Sequence, residues 1–378
     1  MKTNEEKVSD PVEKAGLATA PVSGGFRRGK GLGRRRILGM EGQSNCYHVM
    51  SRTAGGEMLF GDVEKEAFLR VMRRLERFAG VEILTFAMMG NHFHLLVRVP
   101  DRTRFLRRFE GPEGEEKLLE HLTRLYPKAY VTALRHELSD LRSKGMHGPA
   151  EELLERYRSR FCNLSQFVKE LKERFSRWFN KHHGRRGTLW MDRYKSLLVQ
   201  DGDALRTMAA YIDLNPVRAG LTKDPKDYRW CGYAEALAGS KRARRGLCRV
   251  VDSPLDSWND KAGSSNLTAS EWYRCWLFGE GVEVEASAVS SGRKGISTDA
   301  AKKVLEAGGK LSLAELLRCR VRYFSDGVAI GSRSFVEGVF AERREHFGAK
   351  RKDGARKMKE VEGLELFSLR ALRIRAME

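Results

Sequence analysis

The sequence predicts an α+β fold, with a ferredoxin-like central antiparallel sheet and packed helices, a long helical insert and a C-terminal helical domain. The first observation is the order of segments after residue 43: a strand in "NCYHVMSRT", a helix at about 62 to 79, a strand in "VEILTFAMM", a turn, and a strand in "GNHFHLLVRVP". This order is half of a ferredoxin-like sandwich. The second is the run of leucines at helical spacing between about 104 and 182, and the third is a set of helical stretches at 299 to 307, 311 to 324 and 332 to 346.

Changes in composition predict the domain boundaries. Residues 1–43 are rich in Gly, Lys and Arg and lack periodicity, which indicates either a disordered basic arm that gathers phosphates or a solvated tail with no specific task. The main domain then spans 44–235, with the helical insert at about 105–160. A linker is expected at 236–265, because it opens with "SKRARRG" and ends in Asn, Gly and Ser. The helical C-terminal domain takes 266–378.

The longest amphipathic pattern in the main domain is "NLSQFVKELKERFSRWFN", which begins at Asn163. Its large apolar residues recur on one stripe at helical spacing, so they are expected in the core rather than on a base-stacking surface. Asn163 and Gln166 resemble a capping box at the start of this helix.

Composition indicates a polyanionic partner. The 378 residues carry a formal charge of +20, and the pI is near 9.8. Nucleic acid or an anionic membrane surface would suit such a charge, but no segment is long and apolar enough to span a bilayer and no secretory segment is evident, so nucleic acid is favoured. The six cysteines are scattered without a C-x-x-C pair, which argues against a zinc ribbon or disulfide framework and for a reducing, cytoplasmic, nucleoid-associated location.

The histidines of "GNHFHLLVRVP" lie two residues apart in a strand. Alternate side chains of a strand share a face, so His92 and His94 project together while Phe93 and Leu95 face the core. Two adjacent imidazoles are a common way to hold a metal ion. The alternative is that each histidine is satisfied by ordinary hydrogen bonds or by solvent.

Tyr211 and Asn215 are four residues apart in the helix predicted before Pro216, so they are expected on one helical face. With His92 and His94 they would place an amide oxygen and a phenol beside two imidazoles. This donor set, with open positions, fits Mg²⁺ or Mn²⁺ acting on phosphate oxygens. The alternative is that Tyr211 packs at a helix edge and Asn215 caps the helix.

Three segments in this order, "GNHFHLLV", "GTLWMDRYKS" and "YIDLNPVRAGL", resemble the single-tyrosine HUH transposases, and in particular the REP-associated tyrosine transposase branch. The resemblance covers about residues 43 to 235. It implies a central antiparallel sheet, metal ligands at His92 and His94, a nucleophile at Tyr211, and a third ligand at Asn215, where some relatives have glutamine. It also implies cutting and rejoining of single-stranded DNA next to imperfect hairpins with a divalent ion. The helical insert and the C-terminal segment depart from the family pattern.

Chemistry and charge complete the prediction. Attack by Tyr211 would give a 5′-phosphotyrosine link and a free 3′-hydroxyl, so that strand transfer rather than hydrolysis follows. The candidate DNA contacts are Arg185, Arg186, Trp190, Arg193 and Lys195. A nucleic-acid-binding regulator with the same fold and no cleavage activity is the alternative, and a metal-dependent hydrolase would not require Tyr211. The expected partner is single-stranded or hairpin DNA, with no membrane, and the sequence points to no particular protein partner.

Overall fold

Seven β-strands form one sheet in the described part of the chain. The structure is a computed structural model that describes residues 39, 42–260, 268–278, 324, 327–347, 350–358 and 365–370. The strands are β1 (Asn45–Arg52), β2 (Glu82–Met88), β3 (His92–Val99), β4 (Lys195–Val199), β5 (Gly327–Gly331), β6 (Arg356–Lys357) and β7 (Phe367–Arg370). Their order across the sheet is β2-β3-β1-β4-β5-β7-β6. The predicted basic arm lies outside the described residues, except for 39, 42 and 43.

Helices cover both faces of this sheet. They are α1 (Asp62–Ala79), α2 (Arg102–Leu106), α3 (Gly114–Leu122), α4 (Lys128–Ser143), α5 (His147–Arg158), α6 (Leu164–His182), α7 (Asp203–Asp213), α8 (Asn215–Arg218), α9 (Gly232–Leu237), α10 (Lys241–Val250), α11 (Ala269–Phe278) and α12 (Arg333–Glu342). The α+β class predicted from the sequence is therefore confirmed. The range predicted as a helical insert holds α2 to α5.

The strands β2, β3, β1 and β4 pair antiparallel throughout, and β3 lies between β1 and β2. The sequence explains α1 well. Its apolar residues recur at helical spacing, the Glu64 side chain accepts the backbone N–H of Gly61 at 2.8 Å, and Gly80 ends the helix in the left-handed conformation with φ of 69°. The Asn163 side chain caps α6 by accepting the Gln166 N–H at 3.1 Å.

The two faces of the sheet have different roles. Phe93 of β3 packs against Phe68 of α1, with ring centroids 5.0 Å apart, and Phe68 in turn contacts Phe175 of α6. These residues belong to one hydrophobic core. Leu96 of β3 belongs to a second core on the opposite face, which includes apolar residues of α7 and α10. Because strand side chains alternate, His92 and His94 share the face of Leu96 and of α7.

The segment 236–265, predicted as a linker, holds a packed helix instead. Helix α10 buries Ala243, Leu247 and Cys248 against the sheet. At Gly246 a Cβ atom would lie 2.5 Å from the carbonyl oxygen of Leu84, so only glycine allows this close approach to β2. The linker prediction was wrong here because the apolar residues of α10 alternate with arginines, so the sequence has the composition of an exposed segment.

In the C-terminal part, predicted as a separate helical domain, the described residues include strands of the main sheet. The strand β5 pairs parallel with β4 through Leu198 and Ala329, and β7 pairs antiparallel with β5, so this part extends the main sheet. Short apolar runs such as "GVAIG" are hard to assign from periodicity alone. Of the three helical stretches predicted here, 332 to 346 holds α12 and a short 3₁₀ turn, whereas 299 to 307 lies outside the described residues, as does 311 to 324 apart from Phe324.

Among the residues that the structure describes, no helix is long and apolar enough to cross a membrane.

A buried carboxyl group ties the second core together. Asp213, at the end of α7, is 0% exposed and accepts hydrogen bonds from the Thr85 hydroxyl at 2.8 Å, from the Tyr233 N–H at 3.2 Å and from the Tyr273 hydroxyl. These donors come from β2, α9 and α11. Burial raises the pKa of Asp213 to about 7, against the opposing effect of the hydrogen bonds.

The raised pKa of Asp213 gives a stability prediction. Between about pH 4 and pH 7 the folded state holds this proton more tightly than the unfolded state, so the free energy of unfolding falls as the pH rises through this window. The Asp213→Asn variant lacks the titrating group. Urea denaturation across this range should therefore show the stability of the wild type declining relative to Asp213→Asn. Asp203→Asn, at an exposed carboxylate of α7, is the matched control. A wild-type-to-variant difference that does not change with pH would contradict this reading.

Candidate metal and nucleophile site

Register places the two histidines of β3 beside the central strand β1. His94 lies opposite Met50 and His92 opposite Arg52, so all four side chains leave the same face of the sheet. The rings of His92 and His94 have centroids 5.1 Å apart at an interplanar angle of 85°. His94 is 6% exposed. The sequence prediction that these two imidazoles project together agrees with the structure.

Tyr211 lies beside His94 because α7 packs on the same face of the sheet. The centroid of its ring is 6.3 Å from that of His94, and the two planes are perpendicular. The side chain is only 3% exposed. Its ring also lies 4.7 Å, centroid to centroid, from that of Phe324, which is fully buried. The structure therefore brings His92, His94 and Tyr211 together, with the phenol shielded from solvent by its neighbours.

Asn215 is placed differently from its prediction. It was expected on one helix with Tyr211, but α7 ends at Asp213 and Asn215 begins the short helix α8, ahead of Pro216. Proline lacks an N–H and restrains the residue before it, which explains the break. The Asn215 amide nitrogen donates to the backbone oxygens of Tyr211 at 3.2 Å and Ile212 at 3.1 Å. Its amide oxygen is therefore directed away from these carbonyls.

His48 is part of the site and was not predicted. It lies on β1, is fully buried, and its Nε2 is 2.8 Å from Nδ1 of His94, while its Nδ1 is 2.9 Å from the backbone oxygen of Phe324. Burial, and to a smaller extent the positive charge of Arg218, lower its pKa to about 4 against the opposing hydrogen bond. The ring is therefore neutral at neutral pH. In the sequence, His48 is marked only by its position as a histidine within an apolar strand.

Arg218 is a second residue that the sequence analysis missed. Its guanidinium carbon lies 3.8 Å from the centroid of the Tyr211 ring. A cation stacked on this ring provides positive charge beside the phenol. Arg218 is seven residues after Tyr211 and lies beyond the break between α7 and α8, so helical spacing alone did not predict this contact.

The donor set fits a divalent cation. Two imidazoles on one face and an amide oxygen are ligand types that Mg²⁺ and Mn²⁺ accept, with Mn²⁺ the better match for nitrogen. The recorded hydrogen bonds of His92 and His94 use their Nδ1 atoms, at 2.6 Å to the Asn91 side-chain oxygen and at 2.8 Å to His48. This arrangement turns the Nε2 atoms away from those partners.

Of the predicted DNA contacts, Lys195 is the one that the strand register places on the same sheet face as His94. It pairs with Met50, which pairs with His94, so Lys195 leaves the site face two strands away from β3. Arg186 and Arg193 are exposed on the segment after α6, and Arg185 is half-buried. This segment joins the sheet near His92, since the Met191 N–H donates to the backbone oxygen of Arg52 at 2.9 Å.

Trp190 is not placed for base stacking. It is 6% exposed, and its ring contacts Phe60 at 5.6 Å and Phe93 at 5.4 Å between centroids. The indole N–H donates to the backbone oxygen of Lys172 at 3.3 Å. The predicted stacking role is therefore corrected to a core role on the α1 and α6 face.

A second group of ligand-type side chains lies on that same α1 and α6 face. Atoms of Glu64, His182 and His183 lie within 4.8 Å of one another. His183 Nε2 donates to one Glu64 oxygen at 3.0 Å, and the other Glu64 oxygen accepts the N–H of Gly61. These hydrogen bonds link the start of α1 to the end of α6.

Comparison with known proteins finds a distant structural likeness. No family model matches the sequence, and no curated protein matches it. Among solved structures the chain is similar to a REP-associated tyrosine transposase bound to a REP hairpin, with a TM-score of 0.34 and 14% sequence identity. The match covers 62% of this chain and 95% of that chain. A likeness at this level does not carry an argument about function.

The corrected role of Trp190 gives a prediction. Trp190→Ala should lower the free energy of unfolding by about 3–5 kcal/mol, because it empties a packed aromatic cluster. Under conditions where the variant remains folded, its affinity for single-stranded DNA should match that of the wild type. Denaturant unfolding and fluorescence anisotropy measure the two quantities. The exposed Arg186→Ala is the counterpart, expected to keep stability and to weaken binding. Unchanged stability with lost binding in Trp190→Ala would restore the stacking role.

Proposed function

We propose that this protein is a transposase-type enzyme that nicks single-stranded DNA near hairpins and transfers the strand through a covalent bond to Tyr211. The observation that carries the proposal is the common face shared by His92, His94 and Tyr211, with the tyrosine ring 6.3 Å from His94. Each imidazole has a hydrogen-bond partner, at Asn91 for His92 and at His48 for His94, and these bonds hold the rings in place on one face. A metal site beside a nucleophile gives all three residues a purpose.

His92, His94 and Asn215 would hold the divalent ion, for which Mg²⁺ and Mn²⁺ are the candidates. When bound, such an ion polarises the scissile phosphate and offsets the negative charge that builds up during the displacement. Asn215 would contribute its amide oxygen, since its nitrogen is engaged by the carbonyls of Tyr211 and Ile212.

The chain's own residues perform the displacement. The phenolic oxygen of Tyr211 attacks phosphorus, the bond from phosphorus to the 3′-oxygen breaks, and the 3′-oxygen gains a proton as the phenol loses one. Arg218, stacked on the Tyr211 ring, places positive charge where the phosphate arrives. The phosphotyrosine bond preserves the energy of the phosphodiester, so a 3′-hydroxyl can reverse the step and join new DNA.

DNA binding follows from the surface charge around the site. Arg52, opposite His92, and Lys195, opposite Met50, lie on the site face, and Arg185, Arg186 and Arg193 follow α6. Contacts of these cations with phosphates would give affinity without sequence selectivity. The proposed substrate is single-stranded DNA.

One observation favours a second function. Tyr211 is 3% exposed and packs on Phe324, so its side chain is largely closed to a phosphate from solvent in this structure. A nucleic-acid-binding regulator with this fold would keep the basic surface and would not need an accessible phenol. The two functions differ in whether a covalent protein–DNA species forms.

The nucleophile is tested with Tyr211→Phe, which removes one oxygen and keeps the packed ring. The covalent adduct with hairpin-flanked single-stranded DNA should disappear, while DNA affinity stays within a few fold, because the charges that bind phosphate lie elsewhere. A denaturing gel with labelled DNA and Mg²⁺ or Mn²⁺ measures the adduct. Tyr194→Phe, a buried tyrosine outside the site, is the matched control and should keep it. An adduct that survives Tyr211→Phe would show that the nucleophile is misassigned, and no adduct with the wild type would favour the regulator.

The metal ligands are tested with His92→Ala and His94→Ala. Each should abolish divalent-dependent cleavage and lower the affinity for Mn²⁺, because each removes a ligand. Calorimetric titration and the cleavage assay measure these effects. His136→Ala, at an exposed histidine of α4, should change neither. Normal cleavage by both site variants would reject the assignment.

A further inference from the structure

We propose that Asn91 and His48 are positioning residues that fix both metal-site imidazoles in one tautomer, with the proton on Nδ1 and the lone pair on Nε2. The inference rests on the proposed metal site at His92 and His94. It follows from the donor and acceptor roles in four hydrogen bonds. Each site histidine bonds to its positioning residue, and each positioning residue bonds to a backbone oxygen.

The first pair of hydrogen bonds fixes His92. Asn91 is 7% exposed, and its amide nitrogen donates to the backbone oxygen of Gly56 at 2.7 Å. A carbonyl oxygen only accepts, so this bond sets which end of the amide is nitrogen. The other end, the oxygen, lies 2.6 Å from Nδ1 of His92. Because an amide oxygen also only accepts, Nδ1 of His92 must carry a proton.

The second pair fixes His94 through His48. The backbone oxygen of Phe324 accepts from Nδ1 of His48 at 2.9 Å, so Nδ1 carries a proton. Because a second proton would place a charge on a ring that is 0% exposed, Nε2 of His48 is the acceptor. It lies 2.8 Å from Nδ1 of His94, which must therefore be the donor. The backbone oxygen of Phe324 thus determines the tautomer of His94 through His48.

Both series of hydrogen bonds place a proton on Nδ1 of the site histidine. In a neutral imidazole with a proton on Nδ1, Nε2 holds the lone pair that a metal requires. Two histidines on one face in this tautomer have the same ligand atom, Nε2. Partners of this kind typically contribute about 10- to 100-fold to metal affinity. Asn91 and His48 would thus prepare the site without touching the metal or the DNA.

The test combines a spectroscopic signature with metal affinity. Long-range ¹H–¹⁵N spectra of the metal-free, histidine-labelled protein distinguish a protonated from an unprotonated ring nitrogen. The wild type should show Nδ1 protonated and Nε2 unprotonated in both His92 and His94. In Asn91→Leu and His48→Phe, which keep similar bulk without an acceptor, the tautomer of the facing histidine should change and Mn²⁺ affinity should fall about 10- to 100-fold. Asn91→Asp keeps an acceptor and should keep the wild-type tautomer of His92.

The results that would overturn the tautomer assignment differ from those that would overturn the proposed function. Spectra of the wild type with the proton on Nε2 of either histidine would overturn the inference, even if the protein binds Mn²⁺ and cleaves DNA. Wild-type Mn²⁺ affinity in both Asn91→Leu and His48→Phe would also overturn it. His121→Phe, at a buried histidine near α1 and outside the site, should leave metal affinity unchanged. The predicted tautomers in a protein that binds no Mn²⁺ would overturn the proposed function while the tautomer assignment stands.

Discussion

The pairing of β1 with β3 is the constraint on which the site depends. His48 and His94 come from different strands, 46 residues apart, and their hydrogen bond exists only because Met50 lies opposite His94. A shift of one residue in this register would turn His92 and His94 into the α1 and α6 core and would expose Phe93 on the other face. The apolar residues of β3 prevent such a shift, because Phe93 is fully buried against Phe68. The hydrophobic core therefore positions the polar site.

Burial and charge act in opposite directions at this site. The chain carries +20, and cations lie around the sheet face, which attracts phosphate. The proposed nucleophile Tyr211 and the proposed ligand His94 are themselves largely removed from water, at most 6% exposed, as is His48 beside them. Electrostatic interactions are stronger in such surroundings, so a metal ion and a phosphate would interact more strongly here than in water. The same burial means that the phenol is largely closed to solvent in this structure.

The sequence predicted the parts of the fold that depend on local patterns. The helix at 62 to 79 matches α1, and the three strands around it were found, because their periodicity is strong and their ends carry glycine or turn residues. The parts that depend on distant pairing were not found. The strand β5 joins β4 across more than a hundred residues, and α10 packs on β2 behind an arginine-rich sequence. Neither partner is visible in the local pattern.

The same distinction holds for the site. The spacing of His92 and His94 predicted a shared face, and the helix before Pro216 was found. Asn215, however, begins a new helix, and Trp190 belongs to the core rather than to a DNA surface. His48 and Arg218 were missed because a single buried histidine or an arginine in a helix has no local signature. Their roles arise only when β1, α7 and α8 come together in space.

The proposed mechanism requires a divalent ion on the sheet face beside Tyr211, at His92 and His94, rather than at another site on the protein. Anomalous scattering from crystals soaked in Mn²⁺ tests it most directly. The account predicts a peak at bonding distance from Nε2 of His92 and Nε2 of His94. A peak at the Glu64, His182 and His183 cluster with none at His92 and His94, or one bonded through Nδ1 of either site histidine, would contradict it.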